Sequence, residues 1–154
     1  MTPVPDPPCG AFAGPVHRCA LRVYFEDTDA GGIVYHANYL RWYERARSDM
    51  LRLLGIGQRE AMAQGIGTYV IAHLDMRFFG PARLDDIVIV ESRVERVQPA
   101  SVRMHQVASV DGVVVNEARL KVGFIDPAGR PRRQPGEWLE AFSAVVAEQG
   151  QDKA

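Results

Sequence analysis

The sequence predicts an α+β layer protein in which one long helix covers a face of an antiparallel sheet of about five strands. Three observations carry this. Residues 38–54 repeat their apolar side chains at three and four, the helical period. Four strand-like runs follow between residues 69 and 125, joined by short turns. An alternating stretch precedes the helix. Short connections imply antiparallel neighbours, and one amphipathic helix among such strands covers one face of their sheet. The 154 residues, 47% apolar and 24% charged, suffice for one sizeable core, and no internal repeat or linker divides them. We expect an arm over 1–15, a single domain over 16–135, and a C-terminal helix and tail over 136–154.

Residues 1–15 hold five of the ten prolines with Gly10 and Gly14, a composition that disfavours helix and sheet and reads as a mobile arm. Residues 16–27 alternate, with Leu21, Val23 and Phe25 on one face and Arg22, Tyr24 and Glu26 on the other, as in a half-buried strand. The following DTDAGG is turn chemistry. In the helix, Tyr39, Trp42, Tyr43, Ala46, Met50, Leu53 and Leu54 share one arc, while Arg41, Glu44, Arg45, Ser48, Asp49 and Arg52 fall opposite. It is about 25 Å long, and Gly55 stands where a left-handed cap is expected. Arg47 lies at the margin of the apolar face, to snorkel, to pair with Glu44 or to meet an interface.

Residues 58–64 suggest a short second helix ended by Gly65 and Gly67. Residues 69–79 place Ala72, Leu74, Met76 and Phe78 inward, and 87–97 offer Val88, Val90 and Val94. Residues 101–110 offer Val102, Met104, Ala108 and Val110, and 114–125 offer Val114, Ala118, Leu120, Val122 and Phe124. Pro99 marks one turn and Asp111-Gly112 a two-residue hairpin. A loop, DPAGRPRRQP, leads into helical composition over 137–149.

A net charge of −1 speaks against a phosphate-tracking surface, so no nucleic-acid partner is expected. Cys9 and Cys19 make neither a disulfide framework nor a metal cluster and fit a reducing, cytoplasmic setting. No histidine has metal-ligand spacing, no nucleotide motif occurs, and no metal or cofactor is expected. The proline-broken N-terminus does not read as a signal peptide, and no apolar run is long enough to insert into a membrane.

Chemistry and architecture meet in residues 26–54. Asp29 follows the first strand and precedes a glycine turn into the helix, where unpaired N–H groups and a positive macrodipole gather. Such a carboxylate can act as nucleophile or general base while the amides polarise a carbonyl; equally, it can simply stabilise the turn. Gly31 and Gly32 let a substrate approach the backbone. His36 stands at the helix start, placed to orient a substrate or relay a proton, or as a structural residue. His73 is expected outward with Asp75 and Arg77, and His17 and His105 are isolated.

VYFEDTDAGGIVYHANYLRWYERAR, residues 23–47, resembles the signature region of the 4-hydroxybenzoyl-CoA thioesterase family, most closely its Tol-Pal-associated acyl-CoA thioesterase branch. The likeness runs more loosely to about Arg133. It implies the hot-dog fold and hydrolysis of an acyl-CoA thioester to acid and free thiol. It also implies Asp29 as the catalytic carboxylate, the N–H at the His36 position polarising the carbonyl, and the His36 side chain as a participant. Gly31, Gly32, Val34 and Tyr35 are the expected substrate-binding positions. A homodimer, often paired into tetramers, follows from the resemblance, with the site at the subunit interface. An acyl carrier protein is an alternative thioester donor, for which Arg41, Arg45 and Arg52 offer a basic face. Arg130, Arg132 and Arg133 are candidates for coenzyme A phosphates. Rival readings are a hydratase or dehydratase of enoyl thioesters, a thioesterase using Glu44 on the helix, and a non-catalytic acyl-thioester-binding module.

Overall fold

In the computed structural model, which describes residues 1–146, one antiparallel sheet curls around one long helix. In chain order the elements are β1 (Ala11–Ala13), β2 (Val16–Arg22), α1 (Asn38–Leu53), α2 (Gln58–Ala63), β3 (Thr68–Phe78), β4 (Ile87–Gln98), β5 (Ser101–Val110), β6 (Val113–Ile125) and α3 (Gly136–Ser143). The sheet has six strands rather than about five, ordered β1-β2-β4-β5-β6-β3. The additional strand is β1, which lies in the stretch expected to avoid sheet. Despite its prolines, that stretch pairs Ala11 with Arg18 and Ala13 with Val16. Gly10 makes this docking possible, since a Cβ there would stand 2.4 Å from the Arg18 carbonyl oxygen.

Helix α1 buries Tyr39, Trp42, Tyr43, Ala46, Met50 and Leu51 against Val88, Val90, Val94, Val102, Met104, Ala108, Ala118 and Leu120 of the sheet. Each such side chain removed from water contributes about 1.5–3 kcal/mol before entropy is set against it. Leu53, expected on the apolar arc, is exposed beyond the sheet, and Leu51 takes the buried place. Gly55 ends the helix at φ 79°. Arg47 is neither marginal nor snorkelling. It is 8% exposed, donates to Gln106 Oε1 at 2.8 Å and pairs with Glu44. Gln106 in turn donates to Ser92 Oγ at 2.8 Å and to the Tyr43 carbonyl at 3.1 Å. Burial lowers the Arg47 pKa and Glu44 works against that fall.

Two register shifts correct the expected strand faces. Ile71 pairs with Val122 and His73 with Lys121, so Ala72 is the extra residue and Tyr69 and Ile71, not Ala72, point inward. In β6, Ser109 faces Val114 and Ala108 faces Asn116, so the intervening Val115 is buried while Val114 is exposed. The first long strand stops at Arg22 rather than continuing to residue 27. A 3-10 turn over Phe25–Asp27 follows it and leaves Phe25 81% exposed. The Asp111-Gly112 turn has positive φ at both residues, 49° and 80°, as a two-residue hairpin between twisted strands requires. Strand β3 is a sheet edge, with Val70, Ile71, Leu74 and Phe78 exposed along it. Helix α3 ends at Ser143; the expected helical residues 147–149 lie outside the described residues. No helix among the described residues is long and apolar enough to cross a membrane.

His17 and His105 are not isolated. His17 is fully buried, and its Nε2 lies 2.7 Å from Asp49 Oδ2. Asp49 also accepts the Gly10 N–H at 2.9 Å and Arg52 at 2.6 Å. Burial pushes the Asp49 carboxyl up, but the bonds from His17, Gly10 and Arg52 outweigh it and hold the group below its ordinary range. His105 Nε2 lies 3.1 Å from Glu117 Oε2.

Candidate active site

The turn between β2 and α1 is tied by its first aspartate. Asp27 Oδ2 accepts the Tyr24 N–H at 2.8 Å, Oδ1 accepts Asn38 Nδ2 at 3.0 Å, and its carbonyl accepts the Tyr35 N–H at 2.9 Å. Both carboxylate oxygens of Asp27 are thus engaged in closing the loop onto the helix. Asp29 belongs to a tighter loop inside it. Its N–H donates to the Ile33 carbonyl and its own carbonyl accepts the Gly32 N–H, both at 3.0 Å, with Gly32 at φ 76°. Glycine is required there, because that conformation is strained for any residue with a Cβ. The Gly31 N–H donates to Asp29 Oδ1 at 2.8 Å, and Oδ2 has no protein partner among the described residues.

The loop is fastened to the segment after β3 by one bond, from the Val34 N–H to the Ala82 carbonyl at 2.8 Å. Between the two segments opens a concavity of about 580 Å³, lined by Asp29, Ile33, Val34, His36 and Tyr39 on one side and by Phe78, Phe79, Gly80, Pro81 and Arg83 on the other. The exposed His36 ring packs on Tyr35, centroids 4.6 Å apart, and edge-on to Phe78 at 6.5 Å. Helix α1 starts without a side-chain cap, and among the described residues the His36 and Ala37 N–H groups have no acceptor. A carboxylate and an imidazole therefore line one largely apolar opening, with the unbonded His36 and Ala37 amides in the segment that leads into α1. That combination suits attack on a carbonyl whose oxygen gains negative charge.

The structure brings Asp29, His36 and Val34 to the concavity. Val34 is 4% exposed and joins the core as well. Gly31, Gly32 and Tyr35 are exposed beside the concavity and do not line it. The sequence reading passed over Phe79, Pro81 and Arg83, which arrive through the Val34–Ala82 bond, a tertiary contact without a local signature. Glu44 is engaged by Arg47, away from Asp29's opening. Arg132 is spent on the Gly65 and Ile66 carbonyls at 3.0 and 2.8 Å, while Arg130 and Arg133 are exposed. Arg41, Arg45 and Arg52 do face solvent, Arg52 paired with Asp49. Among the described residues, no group of three His, Cys, Asp or Glu side chains is placed to hold a metal ion.

Comparison with known proteins bears on this geometry. The sequence profile of the Thioesterase superfamily matches residues 31–115, from the glycine turn to the last long strand. The chain is similar to the Acyl-CoA thioester hydrolase YbgC of Escherichia coli O6:H1, 38% identical over 127 residues that cover 81% of this chain and 94% of the relative. It is likewise 38% identical over 123 residues to the Acyl-CoA thioesterase YbgC of Haemophilus influenzae, covering 79% and 90%. A solved structure of a probable thioesterase from Bartonella henselae superposes with a TM-score of 0.74 at 34% identity, covering 78% of this chain and 99% of that one. The wrapped helix, the loop that begins it and these relatives agree with the resemblance carried by residues 23–47: the chain belongs to the thioesterase superfamily.

Proposed function

We propose that this chain hydrolyses acyl-CoA thioesters, with Asp29 as the reacting carboxylate and the His36 and Ala37 amides as the donors that polarise the thioester carbonyl. Thioester hydrolysis is the activity its family and its relatives' names carry. The observation behind the residue roles is that Asp29 and His36 line one concavity and that His36 stands just before the uncapped start of α1. Gly31 holds Asp29 Oδ1, so Oδ2 is the oxygen that reacts. As nucleophile it attacks the carbonyl carbon, the thiolate leaves, and water hydrolyses the resulting mixed anhydride. As general base it takes a proton from water, whose oxygen attacks instead while the thiolate leaves and is protonated. Both routes yield a carboxylic acid and free coenzyme A. Each amide donor to the developing oxyanion is worth about 3 kcal/mol of barrier. His36, held between Tyr35 and Phe78, orients the thioester, and Gly31, Gly32, Val34 and Tyr35 shape the approach.

Arg83, the one cation lining the concavity, meets phosphate groups of coenzyme A at the mouth. The open edge of β3 is where a second copy adds its own strand, giving a homodimer, and pairs of dimers give a tetramer. An acyl carrier protein is the alternative thioester donor, docking on Arg41, Arg45 and Arg52, and the setting is cytoplasmic. Asp29→Asn keeps shape and removes the charge, and should abolish thiol release from acyl-CoA while circular dichroism stays unchanged. A folded Asp29→Asn protein with wild-type turnover refutes the assignment. Single turnover in ¹⁸O-water separates the routes: label enters Asp29 only if it is the nucleophile.

A further inference from the structure

The outer face of the sheet, turned away from α1, carries a line of basic side chains that catalysis leaves unused. Register places Arg96 of β4 opposite Arg103 of β5, Arg103 opposite Lys121 of β6, and Lys121 opposite His73 of β3. Directly opposed residues share a face, so the four stand in one row across four adjacent strands. Arg96, Arg103 and His73 are exposed and Lys121 is half-buried. At about 4.8 Å between strands, the row spans about 14 Å.

Like charges set directly opposite one another destabilise a sheet, and the neighbouring row shows how this face otherwise deals with them. There Arg93, His105 and Arg119 stand opposite one another, and each has a carboxylate. Arg93 lies 3.6 Å from Glu91, His105 lies 3.1 Å from Glu117, and Arg119 pairs with Glu95. Among the described residues, none of Arg96, Arg103, Lys121 and His73 has a carboxylate within ion-pair distance. The whole chain carries a net charge of −1, so the row is a local excess and not a by-product of general basicity.

We propose that this row is the docking line for an acidic helix of a partner protein. On a helix, carboxylates three and four residues apart recur every 4.5 to 6 Å, roughly the 4.8 Å step between strands. On the rest of this face Arg93, His105 and Arg119 are matched by carboxylates, so the uncompensated charge is confined to one strip, the footprint of a helix lying across the strands rather than of a broad anionic plane such as a membrane. Attraction of this kind acts mainly on association rate and partner choice and weakens with salt.

The test uses the full chain and a fluorescein-labelled, alanine-based helical peptide carrying glutamates on one face at successive spacings of four, three and four. Anisotropy should report binding at low salt that weakens about tenfold when salt is raised to physiological strength. Arg103→Glu combined with Lys121→Glu should weaken binding at least about tenfold, and Arg59→Glu on α2 should leave it unchanged. Arg103→Gln with Lys121→Gln keeps the test informative if charge reversal disturbs folding. Its Tm should equal or exceed that of the wild type, because a repulsion is removed. A lower Tm would make the row a structural element and overturn the proposal. So would unaltered binding by either variant, equal binding of a peptide with the same glutamates scattered around its helix, or row-dependent binding of anionic vesicles where the peptide does not bind.

Discussion

Gln106→Leu tests the polar layer beneath α1. The amide is fully buried and holds three partners: the Arg47 guanidinium at 2.8 Å, Ser92 Oγ at 2.8 Å and the Tyr43 carbonyl at 3.1 Å. Leucine keeps the volume and removes all three. The bond to Arg47 is charge-assisted, worth about 1.5–3 kcal/mol, and the Ser92 hydroxyl loses a donor in a closed space at about 1 kcal/mol more. Some of this is offset by leucine's own apolar burial, so a net loss of about 2 kcal/mol is expected, or about 4–8 °C in Tm for a chain of this size. Replacing Arg47 as well, by methionine, removes the charge that the first change leaves under-solvated. Glu44 is then free, but its side chain is 61% exposed and water can serve it. The double variant should therefore lie nearer wild type than the sum of the single changes, with a coupling of about 1.5 kcal/mol or more. Urea denaturation at fixed protein concentration measures all four corners of the cycle. Strict additivity would mean that Arg47 and Gln106 do not depend on each other and would refute the network.

Three further outcomes follow from particular contacts. Asp49 has a folded pKa below its unfolded value, so its stabilising contribution is complete above the usual aspartate range near about 3.9 and lost as pH falls through the lower folded value; Asp49→Asn should flatten the acid limb of a Tm-against-pH curve, and an unchanged limb would contradict the depressed pKa. Burial, helped by Asp49, pushes the Cys19 thiol up to about 11 while Cys9 is exposed. At pH 8 a disulfide reagent should therefore modify Cys9 roughly a hundredfold faster, and matching rates would disprove the burial. Gly10→Ala brings a Cβ against the Arg18 carbonyl and strains the Gly10–Asp49 bond. A loss of about 1–3 kcal/mol is expected, together with faster amide exchange over Ala11–Ala13, and unaltered exchange there would show that β1 docks without this close fit.

How much could be read from the chain depended on whether the governing contact was local. Helix α1 was legible because its period, its length and the stop at Gly55 all lie within twenty residues, and the Asp111-Gly112 hairpin because its two positive φ angles demand those residue types. The bulges at Ala72 and Val115 were not, since an inserted residue among alternating apolar ones leaves the composition unchanged. Tyr24 and Phe25 look like strand residues, and the bonds that Asp27 and Thr28 make back to Tyr24 and Phe25 turn the chain out of the sheet. At the site, Asp29 and His36 stand in one short, recognisable stretch. Phe79 and Arg83 reach the same opening through a hydrogen bond between residues 34 and 82, and nothing in either stretch announces the other. Arg47 pairs with Glu44 as its spacing suggested, but its burial was not legible for a related reason: it depends on Gln106, fifty-nine positions away.

Strand β3 has two employments. Its outer margin is an edge of the sheet, and its last residue, Phe78, begins the wall of the concavity that Asp29 also lines. A change at Phe78 therefore alters the sheet edge and the wall of the concavity together. The opposite wall is reached differently: Ile33 lies on the loop, so its side chain can be exchanged to reshape the concavity without touching the sheet.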